Sequence, residues 1–89
     1  MTGARELVIY GRPYCHLCDE MAAALAPLAV VGGWRVRHVD IDDDPILEDR
    51  YGVRIPVLVH GATELCEHRL DEERVAAYLA SVPTPVGGG

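Results

Sequence analysis

Lysine is missing from this chain: every one of its eight basic residues is arginine, and they face fourteen acidic residues for a net charge of −6. A surface of that sign repels phosphate backbones, so nucleic acid is not an expected partner. No apolar run approaches the ~20 residues a membrane-spanning helix needs, so no membrane partner is expected. The opening residues, Met1-Thr2-Gly3-Ala4-Arg5-Glu6, lack the apolar core of a secretion signal, and the expected location is the cytoplasm. Cysteine is scarce, with three in all. An odd, small number in a reducing compartment excludes a disulfide scaffold and leaves catalysis, redox chemistry or metal binding. Internal repeats and linkers are absent as well. At 89 residues the chain is expected to form one domain over 1–83, with 84–89 as a loose tail. A domain of this size buries about two-thirds of its unfolded surface. With 49% hydrophobic residues it has the material for a core.

What is present alternates between strand and helix patterns. Leu7-Val8-Ile9-Tyr10 is a short, β-branched apolar run that suits a strand buried on both faces. Gly11 to Tyr14 breaks it as a loop. From Cys15 onward, Leu17, Met21, Ala24, Leu25 and Leu28 recur at helical spacing, and Pro27 is expected to kink or end that helix. Trp34 to Ile41 predicts a strand of mixed polarity, as at a sheet edge. Asp44-Pro45 predicts a cap and first turn for a short helix ending near Gly52. Val53 to His60 predicts a third strand interrupted by Pro56. Gly61-Ala62 is a two-residue turn into a fourth, antiparallel strand, Thr63 to Glu67. Asp71 caps a last helix, with Leu70 and Val75 spaced as a hydrophobic staple and Pro83 beyond its end. The order β-α-β-α-β-β-α implies an α/β fold with a four-stranded mixed sheet, three flanking helices and a right-handed opening crossover.

Chemistry concentrates at Cys15-His16-Leu17-Cys18. Two cysteines three apart at a helix start lie on one face, with Cβ atoms about 5–6 Å apart. A disulfide needs about 3.8 Å, a small local adjustment. As a staple, a loop of about four residues contributes little, near 2 kcal/mol, so redox cycling suits the pair better than a structural role. Unpaired amides at the helix start favour a thiolate there. A thiol of pKa about 8.5 is roughly 3% ionised at pH 7, and lowering it to about 7 raises the attacking species roughly fifteen-fold. Arg12 and a protonated His16 would add to that, and Asp19 and Glu20 would oppose it. Cys15, ahead of the first turn, is expected to be the nucleophile and Cys18 the resolving thiol. A structural zinc site needs four ligands, usually two close pairs. Only Cys66 and His68 on the distant hairpin could complete one, so no metal is expected.

The run Tyr10-Gly11-Arg12-Pro13-Tyr14-Cys15-His16-Leu17-Cys18, with Gly52-Val53-Arg54-Ile55-Pro56-Val57 further on, resembles the glutaredoxin-like branch of the thioredoxin superfamily over nearly the whole chain. The resemblance implies a thioredoxin-like fold. It also implies a cis Ile55–Pro56 bond facing the cysteines and an Ile55 backbone that pairs with an extended substrate. Arg12, Tyr14, His16, Leu17, Arg54, Ile55 and Pro56 would then surround a substrate disulfide or glutathione. The chain departs from the family pattern at His16-Leu17, Arg54 and Glu67-His68, positions that help hold glutathione in the family. Arg12 and Arg54 could grip a carboxylate by bidentate hydrogen bonds.

The expected activity is thiol–disulfide exchange on a protein or small disulfide by a monomer, with no cofactor beyond possible glutathione. The alternatives are a glutathione-dependent iron–sulfur cluster carrier, or an adapter with incidental cysteines. Cys66 reads as a core thiol. The run Asp40 to Asp44 reads as a solvated loop and helix cap, for it lacks the glycine and distant glutamate of a calcium loop. Trp34 reads as packing, and His38 and His60 as satisfied or exposed strand residues.

Overall fold

In the computed structural model, which describes residues 5–83, the Leu7–Ile9 run lies at the centre of a sheet. Strand β1 (Glu6–Gly11) pairs in parallel with β2 (Arg35–Asp40) and antiparallel with β3 (Val57–His60). Strand β4 (Thr63–Glu67) completes the order β2-β1-β3-β4. Both edge strands are mixed in polarity, and the two central ones are almost wholly apolar. A central strand meets protein on both faces, whereas an edge strand meets water.

Period-two alternation divides the core in two. Leu7, Ile9, Leu58 and Leu65 point to one face, where helices α1 (His16–Gly32) and α3 (Glu72–Ser81) bring Met21, Leu25, Ala29, Val75 and Leu79. Trp34 closes that cluster at its far end. On the other face Val57 and Val59 meet Ile41 and Tyr51, the latter from the short helix α2 (Pro45–Tyr51). There the Tyr10 and Tyr51 rings stack at 4.4 Å.

The caps form as their residue types require. Asp44 Oδ1 accepts from the Ile46 amide and Asp71 Oδ1 from the Arg74 amide. Asp40 Oδ1 accepts from the Asp42 amide and opens a single 3-10 turn, Ile41–Asp43, so the aspartate run is capping and solvated loop. Gly61 has φ +60, the left-handed geometry the hairpin demands. Leu70 and Val75 join the same apolar cluster.

Three expectations are corrected. Pro27 does not end α1, which runs five residues further to Gly32. Ala23 and Pro27 are both exposed, so water can take the carbonyl that proline leaves without a donor. The third strand begins at Val57, because Val53–Arg54 are turn residues and Pro56 has no N–H for a ladder. Gly52 stops α2 without a left-handed cap: its φ is −47, and its N–H donates to the Glu48 carbonyl at 2.8 Å. A Cβ at this position would lie 2.5 Å from that carbonyl oxygen, so glycine is needed for closeness of approach. The expected tail, 84–89, lies outside the described residues.

Candidate active site

Cys15 is the N-cap of α1, in extended geometry, and its Sγ accepts the Cys18 amide at 3.1 Å. The Cys15 carbonyl accepts the Asp19 amide at 3.1 Å. The first turn therefore aims one of its spare donors at the sulfur. The two cysteines are joined as a disulfide, with Cα atoms 5.1 Å apart. Cys18 is buried and Cys15 is half-buried, so Cys15 is the more accessible of the two sulfurs. In the reduced protein the same amide would donate to a thiolate. A hydrogen bond to a charged group stabilises by about 1.5–3 kcal/mol, whereas the helix dipole adds about 0.3–1 kcal/mol. The amide is thus the larger influence.

Gly11, at the end of β1, makes room for the Cys18 sulfur. A Cβ there would stand 2.6 Å from Cys18 Sγ. Sequence reasoning treated Gly11 as a loop breaker and missed this role. The signal was a glycine ending an otherwise bulky strand. The β1–β3 register, continued by one step past Tyr10 and Val57, sets Pro56 opposite Gly11. The Ile55–Pro56 peptide is cis, and the Pro56 carbonyl accepts the His68 amide at 2.8 Å. Cys15, Cys18, Ile55 and Pro56 are therefore gathered at one end of the sheet.

Tyr14, just before Cys15, is fully exposed and has φ +62, a strained geometry for a bulky residue. His16 is exposed and pairs with Glu20 at 3.3 Å, while Leu17 is half-buried. Leu17 and Glu20 share a small cleft with His68 and Arg69. A second cleft of about 250 Å³ runs beside Cys18 on the β2 side, walled by Gly11, Arg12, Asp19, His38 and Asp40.

Arg12 and Arg54, expected to await a carboxylate from outside, each hold two from within. Arg12 Nε donates to Asp42 at 2.7 Å and Nη2 to Glu48. Arg54 Nε donates to Glu67 at 3.0 Å and Nη2 to Glu64. The carboxylates beside Arg12, Asp42 first, make its guanidinium bind its proton more tightly than usual, and Glu64 and Glu67 do the same for Arg54. The four acidic partners were not foreseen, although the acid excess hinted that bare arginines would be rare.

The remaining residues lie outside this constellation. Cys66 is half-buried on β4 opposite Leu58, and burial pushes its thiol above the ordinary range. Trp34 packs in the core, His38 is exposed, and His60 Nδ1 lies 2.8 Å from the Tyr78 hydroxyl. Among the described residues no group of three or more His, Cys, Asp or Glu side chains is placed to hold a metal ion, and no helix is long and apolar enough to cross a membrane.

Residues 6–80 match the family of glutaredoxin-like domains. Among solved structures, protein Ne2328 from Nitrosomonas europaea is 41% identical, with a TM-score of 0.75 over 83% of this chain and 89% of that one. The X-ray structure of protein XcR50 from X. campestris is 40% identical, with a TM-score of 0.71 over 86% of this chain and 99% of that one. The glutaredoxin-like protein NrdH-redoxin from Escherichia coli is 18% identical, with a TM-score of 0.56 over 90% of this chain and 99% of that one, a likeness of fold alone. No curated protein matches the chain. The fold is thioredoxin-like, and a close cysteine pair at the start of its first helix supports thiol oxidoreductase chemistry in general.

Proposed function

The chain belongs to the family of glutaredoxin-like domains, and from that premise we propose that it reduces protein or low-molecular-weight disulfides through a mixed disulfide on Cys15. The observation that carries this reading is the Cys18 amide donated to Cys15 Sγ at the open end of α1. In the reduced protein the Cys15 thiolate attacks one sulfur of the target. The target's S–S bond breaks, its other sulfur leaves as a thiolate and takes a proton, and a Cys15–target disulfide forms. Cys18 then loses its proton and attacks Cys15 Sγ. The target leaves as a thiol, and the pair closes to the disulfide seen here. Two electrons pass to the target, and an external thiol must restore the dithiol. A reducing compartment such as the cytoplasm supplies such thiols.

Burial suits Cys18 to the second step, because it meets only a sulfur already delivered to Cys15. Exposed Tyr14 and exposed Val53, close in sequence to the nucleophile and to Pro56, offer apolar ground for a substrate segment. The Ile55 backbone is offered to that segment as to an added strand.

The test is to replace Cys18 with Ser, incubate the reduced variant with cell extract, and identify proteins held on Cys15 by a reducible bond. The parent should reduce a simple neutral disulfide stoichiometrically. An empty trap together with an inert parent would remove the enzyme reading.

A further inference from the structure

Arg12, which shares a cleft with Cys18, and Arg54, just before Pro56, are each engaged by the chain itself. Besides its two carboxylates, Arg12 reaches the Gly52 carbonyl through Nη1 at 3.3 Å, and Arg54 reaches the Arg50 carbonyl through Nη1 at 3.4 Å. Every guanidinium nitrogen of both residues therefore points at an internal acceptor. Each group holds one positive and two negative charges, and Arg50, over the same Tyr51 ring as Arg54, partly offsets the second. Arg12 stands three residues before Cys15 and walls the Cys18 cleft. Arg54 stands two before Pro56. Asp19 and Glu20 in α1 and Asp40 on the cleft wall add charge of the same sign. Arg69, near Leu17, is a further cation close to the site.

Three of the five N–H groups of each guanidinium are thus taken, and each positive charge already faces two carboxylates. An incoming carboxylate would find two N–H groups left and would add a like charge to a negative rim. A cationic group meets attraction and displaces nothing. We propose that the pairing of Arg12 and Arg54 with two internal carboxylates each sets the substrate class: the dithiol takes disulfides flanked by cationic or neutral groups and discriminates against anionic ones such as glutathione disulfide. This rests on the redox reading above. The exchange step is the one already written, with the charge acting on the encounter and not on the bonds.

The experiment uses the pre-reduced protein and three small disulfides: cystamine (cationic), bis(2-hydroxyethyl) disulfide (neutral) and glutathione disulfide (anionic). Each rate is divided by that of a free small dithiol with the same compound, which removes differences in leaving group. At low salt the corrected rates should fall from cationic to neutral to anionic, with about tenfold or more between the ends. Raising the salt towards 0.5 M should compress that spread several-fold, because screening shortens to a few ångströms. The paired variants Asp42→Asn with Glu48→Gln, and Glu64→Gln with Glu67→Gln, should shift the anionic-to-cationic ratio upward several-fold. A corrected ratio near one at low salt, or an anionic preference in the parent, overturns the charge assignment and leaves the redox reading standing. Failure to reduce even the neutral disulfide sinks the redox reading instead. The salt series on the parent decides the matter if the variants fold poorly.

Discussion

Cys15 and Cys66 carry the same atom into opposite surroundings. Cys15 sits where a helix begins, half-open, with an amide pointed at its sulfur. Cys66 sits mid-strand on β4, where burial outweighs the Asp71 backbone and Arg74 and keeps its thiol protonated to higher pH. One site favours the charged form and the other disfavours it. The difference teaches that a backbone donor acts only as far as burial allows: both sulfurs have one, from Cys18 at Cys15 and from Asp71 at Cys66, and at Cys66 desolvation outweighs it.

The strongest way to break this comparison is to delete each sulfur in turn. Cys15→Ser should lower the rate of disulfide reduction by at least about a thousandfold, as loss of a covalent nucleophile does. Cys66→Ser should leave it within about twofold. A stopped assay with the neutral disulfide checks both, and equal losses would erase the distinction. A smaller effect is expected at Gly11→Ala, where the new Cβ meets Cys18 Sγ. Overpacking of this kind costs about 1–3 kcal/mol. Urea denaturation should show the loss in the oxidised protein and less of it in the reduced protein, where the Cys18 side chain can turn away. Equal losses in both states would mean that the sulfur is not what Gly11 accommodates.

Much of this was legible in the sequence because the signals were local. The element order, the Asp44 and Asp71 caps, the Gly61 turn and the cysteine spacing each depend on a few neighbouring residues, and each is found where it was expected. What was not legible depended on partners far along the chain. Arg12 finds Asp42 and Glu48 thirty and thirty-six residues away, and nothing near Arg12 announces them. Pro27 was misjudged because its cost depends on which face of α1 is wet, a tertiary fact. The role of Gly11 appears only when β1 and the first turn of α1 are brought together. The family pattern marks Arg54 as a ligand-binding position, while Glu64 and Glu67 on β4 supply its carboxylates.

The last and smallest effect sharpens the comparison from the side of Cys66. Burial makes the folded chain hold the Cys66 proton to higher pH than the unfolded chain does. Stability from this group is therefore whole below the ordinary thiol value of about 8.5, and is lost as pH rises past it through the folded value. Tyr51, raised chiefly by burial, should contribute a second loss that begins only above about 10. The absence of lysine clears the window between them, since no ammonium side chain titrates there. In the oxidised protein Cys15 and Cys18 are joined and do not titrate. Urea midpoints taken from pH 8 to pH 11 should thus fall in two stages in the parent, and in Cys66→Ala the first stage should flatten while the second persists. The slope is the quantity to compare, because alanine also changes packing. Identical slopes in parent and variant would show that Cys66 is as well solvated as a free thiol, and its contrast with Cys15 would be lost.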